Sequence, residues 1–293
     1  MAATRAVTLS LLCGCASGFA LHGPALRPVT PHAVFHVPRV SPIAPTMVAV
    51  PPQTLQALGL NSGLAAIGTA KGQKVLTPMG LAHAWALGVM LWGSLGWRGW
   101  STCVCYFAGG VIVTKLGKAK KEALGIAEGR GGMRGPENVW GSAATCAACA
   151  LASAQWPAYS SLLKIGFVAA LATKLSDTCA SEIGKAYGTK TYLITTLREC
   201  KAGEEGGVSL EGTAAGVVGS IVLSLFGLAV GLVSRVAVLP LLLAAFVATN
   251  IESLIGAVAQ NNFKLLTNEV VNFIMTVIGA AFCMALAAAL GIA

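Results

Sequence analysis

Eight apolar runs dominate this chain, near residues 54–70, 80–96, 99–115, 138–154, 158–176, 208–233, 238–258 and 268–290. A segment needs about 20 mostly apolar residues to cross a bilayer as a helix. Inside lipid a backbone must satisfy its own hydrogen bonds, so successive runs of this length leave few folds other than a helix bundle. The first run is short enough to lie in the interface instead. The fold class expected is therefore all-α, a polytopic transmembrane bundle of 7–8 spans formed by one integral membrane domain over residues 54–293. Composition agrees: 55% of residues are hydrophobic and 11% charged, against about 25% charged in a soluble domain. The 35 glycines point to close helix packing through small residues.

Charge placement tests this topology. Loops 71–79, 116–137, 185–207 and 259–267 fall on one side. They hold Lys71, Lys74, Lys118, Lys120, Lys121, Arg130, Arg134, Lys185, Lys190, Arg198, Lys201 and Lys264, with Lys115 at a boundary. The opposite loops hold only Arg98 and Arg235. Such asymmetry marks one membrane face, so the net charge of +9 implies a lipid bilayer as partner and no nucleic acid. No protein partner is implied. The lysines 118, 120 and 121 read as a patch facing anionic headgroups, and His83 as a helix histidine satisfied by a neighbour.

The first 50 residues differ from the rest. Arg5 precedes a short apolar core, Ala6 to Ala16, and small residues come after it. From Leu21 to Val50 come Arg27, Arg39, three histidines, several prolines and no acid. Signal-peptide anatomy over residues 1–18 and a basic, acid-free stretch over 19–47 resemble the bipartite leaders of algae with complex plastids. A multi-pass plastid membrane protein, in the envelope, is expected. Cysteine usage adds no disulfide framework; Cys146 and Cys149 have CxxC spacing without a second pair to complete a zinc site.

The chemistry-bearing residues cluster in the loops of the basic face. Asp177 is the only aspartate in the chain, and ionisable groups at membrane depth cost about 3 kcal/mol on insertion scales. It is read as a magnesium ligand, against the alternative of an ion pair with Lys174 or Lys185. Glu182, five residues on, lies about 140° around an ideal helix. Either the helix breaks near Ala180 or the two acids have different partners. Asp177 and Glu182 are the candidate catalytic carboxylates, and Asp177 with Glu252 the candidate metal ligands. Gly206, Gly207 and Ser209 offer backbone N–H groups at a helix start where an anion could sit; the alternative is a turn with Ser209 as cap. Arg130 and Arg134 suit bidentate phosphate contacts. Asn268 and Asn272, four apart, share a face of the last helix.

Taken in order, these segments resemble a family of integral membrane proteins whose plant plastid member is the phytyl-phosphate kinase of the vitamin E pathway. The matching residues are Leu76-Thr77, Gly131-Gly132-Met133-Arg134, Asp177-Thr178 with Ala180-Ser181-Glu182-Ile183-Gly184, and Gly206-Gly207-Val208-Ser209. Glu252-Ser253 with Gly256-Ala257 and Gln260, then Asn268 with Val271-Asn272, complete the set. The chain departs from the family at Trp140-Gly141-Ser142, where Ala-Asn-Gly is usual, and at Glu252, where Asp is common. Glu204 and Glu205 also replace less acidic residues. A looser likeness to polyprenol kinases and phosphatidate cytidylyltransferases points to the same ingredients. The resemblance implies a kinase making phytyl diphosphate from phytyl phosphate and a nucleoside triphosphate such as CTP, with Mg2+, for tocopherol synthesis. A membrane transporter and a lipid-phosphate cytidylyltransferase are the alternatives.

Overall fold

A computed structural model describes residues 52–70, 75–260, 263 and 265–292. The leader expected over residues 1–50 lies outside the described residues, as do Lys71, Lys74 and Lys264. Helix α1 spans Pro52–Ala70, α2 Pro78–Lys115, the short α3 Lys118–Ala123, and α4 Pro136–Gln155. Next come α5 Ser160–Tyr187, α6 Leu210–Ala229, α7 Val238–Ile255, closed by a π turn over Gly256–Gln260, and α8 Asn268–Ala289. All eight apolar runs are helical, and the protein is an all-α membrane protein. Four helical stretches, Pro157–Tyr187, Leu210–Ala229, Arg235–Gln260 and Asn268–Ala289, are long and apolar enough to cross a membrane.

α2 contains the two runs expected at 80–96 and 99–115 and doubles back between them. Gly96 sits at φ 65°, ψ −161°, and Arg134 touches both ends of the element. Its backbone N–H donates to Val75 O at 2.9 Å and its carbonyl accepts from Thr77 N at 3.0 Å. Its guanidinium meanwhile reaches the Tyr106 hydroxyl at 3.5 Å. A straight helix would hold Thr77 and Tyr106 about 43 Å apart, so the two limbs fold against each other at Gly96. The ring of Trp92 meets that of Trp100 edge-on across the bend, centroids 5.6 Å apart. The Trp100 indole donates to Asn61 of α1 at 3.2 Å.

α5 is the central helix. Every residue from Ile165 to Cys179 is buried, and α4, α6, α7 and α8 all pack on it. α6 lies closest because glycines line the seam: a β-carbon on Gly212 would stand 2.6 Å from the Ala180 carbonyl oxygen. Small residues here replace bulk with backbone proximity, the usual means of helix association in lipid. α5 also continues past the expected exit at Asp177, unbroken to Tyr187. Beyond Tyr187 the chain forms a three-stranded antiparallel sheet, order β2-β1-β3, of β1 Thr191–Leu193, β2 Glu199–Cys200 and β3 Gly207–Ser209.

The helix ends alternate as the charge count requires. The first limb of α2, α4, α6 and α8 begin, and the second limb of α2, α5 and α7 end, at the end of the bundle carrying the basic loops. The lysines of that face are partly turned inward, contrary to the headgroup-facing patch expected. Lys120 donates to Ala186 O at 2.6 Å and so satisfies a carbonyl at the end of α5. Lys121 is 1% exposed and ion-paired to Glu182.

Candidate functional site

A cavity of about 340 Å3 opens at this end, walled by the second limb of α2, the 128–134 loop, α4, α5, the 203–209 turn, α6, α7 and α8. The central helix supplies its floor. Asp177 is 7% exposed, and Lys174, one turn earlier, donates to its Oδ2 at 2.7 Å. Spacing of three residues puts both on one helix face, which settles the choice between Lys174 and Lys185: Lys185 instead lies 4.0 Å from Glu128. Because α5 does not break, Glu182 diverges from Asp177 and buries its carboxylate against Lys121.

Glu252 enters from α7. It is half-buried, accepts from Ser253 Oγ at 3.4 Å, and feels the charges of Asp177, Lys174 and Glu205. Thr249, one turn earlier on the same wall, has a buried hydroxyl with no hydrogen-bond partner among the described residues. Asn268 and Asn272 complete the opposite wall from α8. Asn272 is 7% exposed, and no side-chain hydrogen bond holds its amide among the described residues.

The two arginines are held differently. Arg134 is clamped through its backbone to Val75 and Thr77, while its guanidinium lies over the Phe107 ring at 5.8 Å. Gly110 leaves room for it: a β-carbon there would approach Nη2 to 2.9 Å. Arg130 is exposed, in left-handed backbone at φ 53°, and is paired with Glu137 while donating to Asn138 Oδ1 at 2.8 Å. Its hydrogen bond to Glu137 holds that carboxyl below its usual range.

The double glycine is a turn into a strand rather than a free loop. Gly207 N donates to Glu204 O at 2.9 Å, and β3 pairs with β1. Ser209 caps α6 by accepting from Gly212 N at 3.1 Å. The backbone N–H of Gly207 and that of Gly212 are therefore both occupied. Gly206, Gly207 and Ser209 nonetheless line the cavity together with Gly212 and Thr213.

The structure thus gathers Asp177, Glu182, Glu252, Arg130, Arg134, Gly206, Gly207, Ser209, Asn268 and Asn272 around one cavity. Reasoning from sequence missed Asn138 and Glu269. Asn138 Nδ2 donates to Glu269 Oε1 at 3.0 Å, and its Oδ1 accepts from Gly135 N at 2.9 Å. Pro136 at a helix start with Asn three residues after Gly135 is a legible N-terminal signal; its bond to a residue 131 positions away is not. His83 is satisfied as expected, its Nδ1 accepting from the Trp140 indole at 2.8 Å.

Residues 61–280 match the model of an integral membrane protein family, DUF92. An uncharacterized membrane protein of Synechocystis, sll0875, is 53% identical over 80% of this chain and 91% of its own length. Protein VTE6, chloroplastic, of Arabidopsis thaliana is 42% identical over 70% of this chain; the match spans 63% of the plant protein. The uncharacterized membrane protein MJ0933 of Methanocaldococcus jannaschii is 29% identical over 71% of this chain and 84% of its own length. No solved structure matches. The family resemblance drawn from the ordered motifs is borne out.

Proposed function

Because this chain belongs to the DUF92 integral membrane family, we propose that it is a phytyl-phosphate kinase, converting phytyl phosphate to phytyl diphosphate for tocopherol synthesis in a plastid envelope. Its likeness to VTE6 supports a kinase-type enzyme acting on a prenyl phosphate. The observation that carries the reading is structural. Two carboxylates, Asp177 and Glu252, share one cavity with Lys174 and Arg134 at one end of a bundle of membrane-crossing helices. A lipid phosphate and a water-borne nucleotide can meet only at such an end.

In the reaction, an oxygen of the lipid monophosphate attacks the terminal phosphorus of the nucleoside triphosphate. One P–O bond forms to that oxygen. The bond to the bridging oxygen breaks, and the nucleoside diphosphate leaves with its electron pair. The attacking phosphate is already an anion, so no strong base is required. Positioning and charge neutralisation carry the rate. Arg134, pre-oriented over Phe107 and beside Gly110, is placed to meet a phosphoryl group bidentately. Lys174 supplies a second cation from the floor, shared with Asp177. Arg130 would have to leave Glu137 to join them.

Among the described residues no cluster of three or more His, Cys, Asp or Glu could hold a metal ion. Magnesium, however, is commonly held by one or two carboxylates plus substrate phosphates. The hard oxygen donors of Asp177 and Glu252, from separate helices on one cavity, fit that mode. Bound there, the ion would neutralise charge on the transferring phosphoryl group.

The test is phosphoryl transfer by purified protein in detergent, with phytyl phosphate, magnesium and each nucleoside triphosphate in turn. Phytyl diphosphate and a nucleoside diphosphate are the expected products. A nucleotidyl lipid with released pyrophosphate would make the protein a cytidylyltransferase. No turnover of any prenyl phosphate would overturn the kinase reading.

A further inference from the structure

The polar cavity continues sideways. On α6, Thr213 and Val217 line it and are exposed; on α7, exposed Phe246 and half-buried Asn250 line it. Each pair is spaced four residues apart and so forms a stripe along its helix. The helices run in opposite directions and pack directly on each other, so the stripes share one polarity. Asn250 lies toward Glu252 with Phe246 deeper on α7, while Val217 stands level with Asp177, since Gly216 beside it packs on Ser176.

Phe246 lies six residues before Glu252, an axial distance of about 9 Å. Both helices are long and apolar enough to cross the membrane. Val217 is 37% and Phe246 46% exposed, so both leave an apolar edge open at the side of the cavity. A cavity with Lys174 and Arg134 inside it and an exposed apolar edge at its side matches an amphiphile whose head is anionic and whose tail never leaves the bilayer.

We infer that the α6–α7 seam is the lateral port of the site: the isoprenoid tail of the substrate lies between Val217 and Phe246 and runs out into the bilayer while its phosphate reaches Lys174 and Arg134. This rests on the kinase reading above and names the substrate-tail subsite of the same cavity. Depth in the seam then governs chain-length preference. A single isoprene unit fits inside it, whereas a phytyl tail must pass through.

Two readouts test it. In the first, Val217→Trp and Phe246→Trp are assayed with phytyl phosphate and with dimethylallyl phosphate, beside Val222→Trp, whose exposed parent residue does not line the cavity. The expected result is an approximately ten-fold rise in KM for the phytyl substrate in the two seam variants. Dimethylallyl phosphate and the Val222→Trp protein should be little changed. Unchanged substrate ratios in active seam variants would overturn the port. In the second, wild-type protein is photolabelled by a prenyl phosphate carrying a diazirine on its tail, and the modified peptides are mapped. Labelling on 213–217 and 246–250 supports the port, including where a seam variant fails to fold. Labelling confined to other helices overturns it. Failure of the kinase reading is separate: wild type would then turn over no prenyl phosphate at all.

Discussion

Lys121 and Glu182, 61 residues apart, form an ion pair sealed inside the protein, each 1% exposed. Lys121 also donates to Thr114 O at 2.9 Å, so a single ammonium ties the end of α2 to the extension of α5. Lys121 also lines a small crevice together with Glu128, Gly131, Gly132 and Arg134.

Breaking this pair on one side should be severe. Lys121→Met leaves the Glu182 carboxylate buried without its hydrogen-bonded cation, a loss of about 3–5 kcal/mol. The double variant Lys121→Met, Glu182→Leu should recover much of it, because neither charge is then buried. Thermal unfolding in detergent of both singles and the double checks this; equal loss in all three would show that shape, not charge, holds α3.

Asp177→Asn and Glu252→Gln should each lower kcat for phosphoryl transfer by about 100-fold or more, the scale seen when one electrostatic contact to a reacting group is removed. Asp177→Asn should also destabilise, since Lys174 loses its buried counter-charge. Glu252, half-buried and among the described residues hydrogen-bonded to its neighbour Ser253, should cost activity with little loss of thermal stability when neutralised. A kinetic and thermal comparison of the two separates chemistry from folding.

Gly206→Ala should disturb the site without touching a charge. Gly206 sits at φ 77°, and an added β-carbon would come within 2.7 Å of the Ser253 carbonyl oxygen, besides meeting Ala257. Left-handed backbone alone costs a residue with a β-carbon about 1–2 kcal/mol. The turn should move away from α7, lowering thermal stability and raising the nucleotide KM together.

The Arg130–Glu137 pair should respond to acid. The folded-state Glu137 carboxyl lies below its ordinary range because Arg130 hydrogen-bonds it. Its contribution is therefore complete above the unfolded value, about 4.3, and is lost as pH falls through the lower folded value. Being exposed, the pair adds little stability. The thermal curves of wild type and Glu137→Gln should differ slightly at neutral pH and converge below the carboxylate range. At neutral pH the variant releases Arg130 from its ion pair, leaving the bond to Asn138, and should alter the nucleotide KM.

Much of the site is legible without the fold. Asp177, Glu252, Arg134 and the two asparagines stand out because polar side chains beside apolar runs are costly to keep, and simple counting of spans puts their loops on one side. The same counting cannot tell which partner each takes. Asp177 has two lysines within helical reach, and only the unbroken course of α5 decides for Lys174. Gly206 to Ser209 read equally well as an anion loop or a cap, since a strand three residues long leaves no periodic signal.

Local chemistry set what the chain alone could determine: where helices run and which end of the bundle is basic. These depend on neighbours within a turn or on burial in lipid, and both are written in consecutive residues. Tertiary structure decided what depends on distant partners. It set Arg134 against both limbs of α2, and it carried α5 past Asp177 because Lys120 and Lys121 satisfy its far end. It also joined Asn138 to Glu269 across the cavity. A charge in a low-dielectric interior settles wherever its counter-charge or hydrogen-bond partner lies, and that address is a position in space, not in sequence.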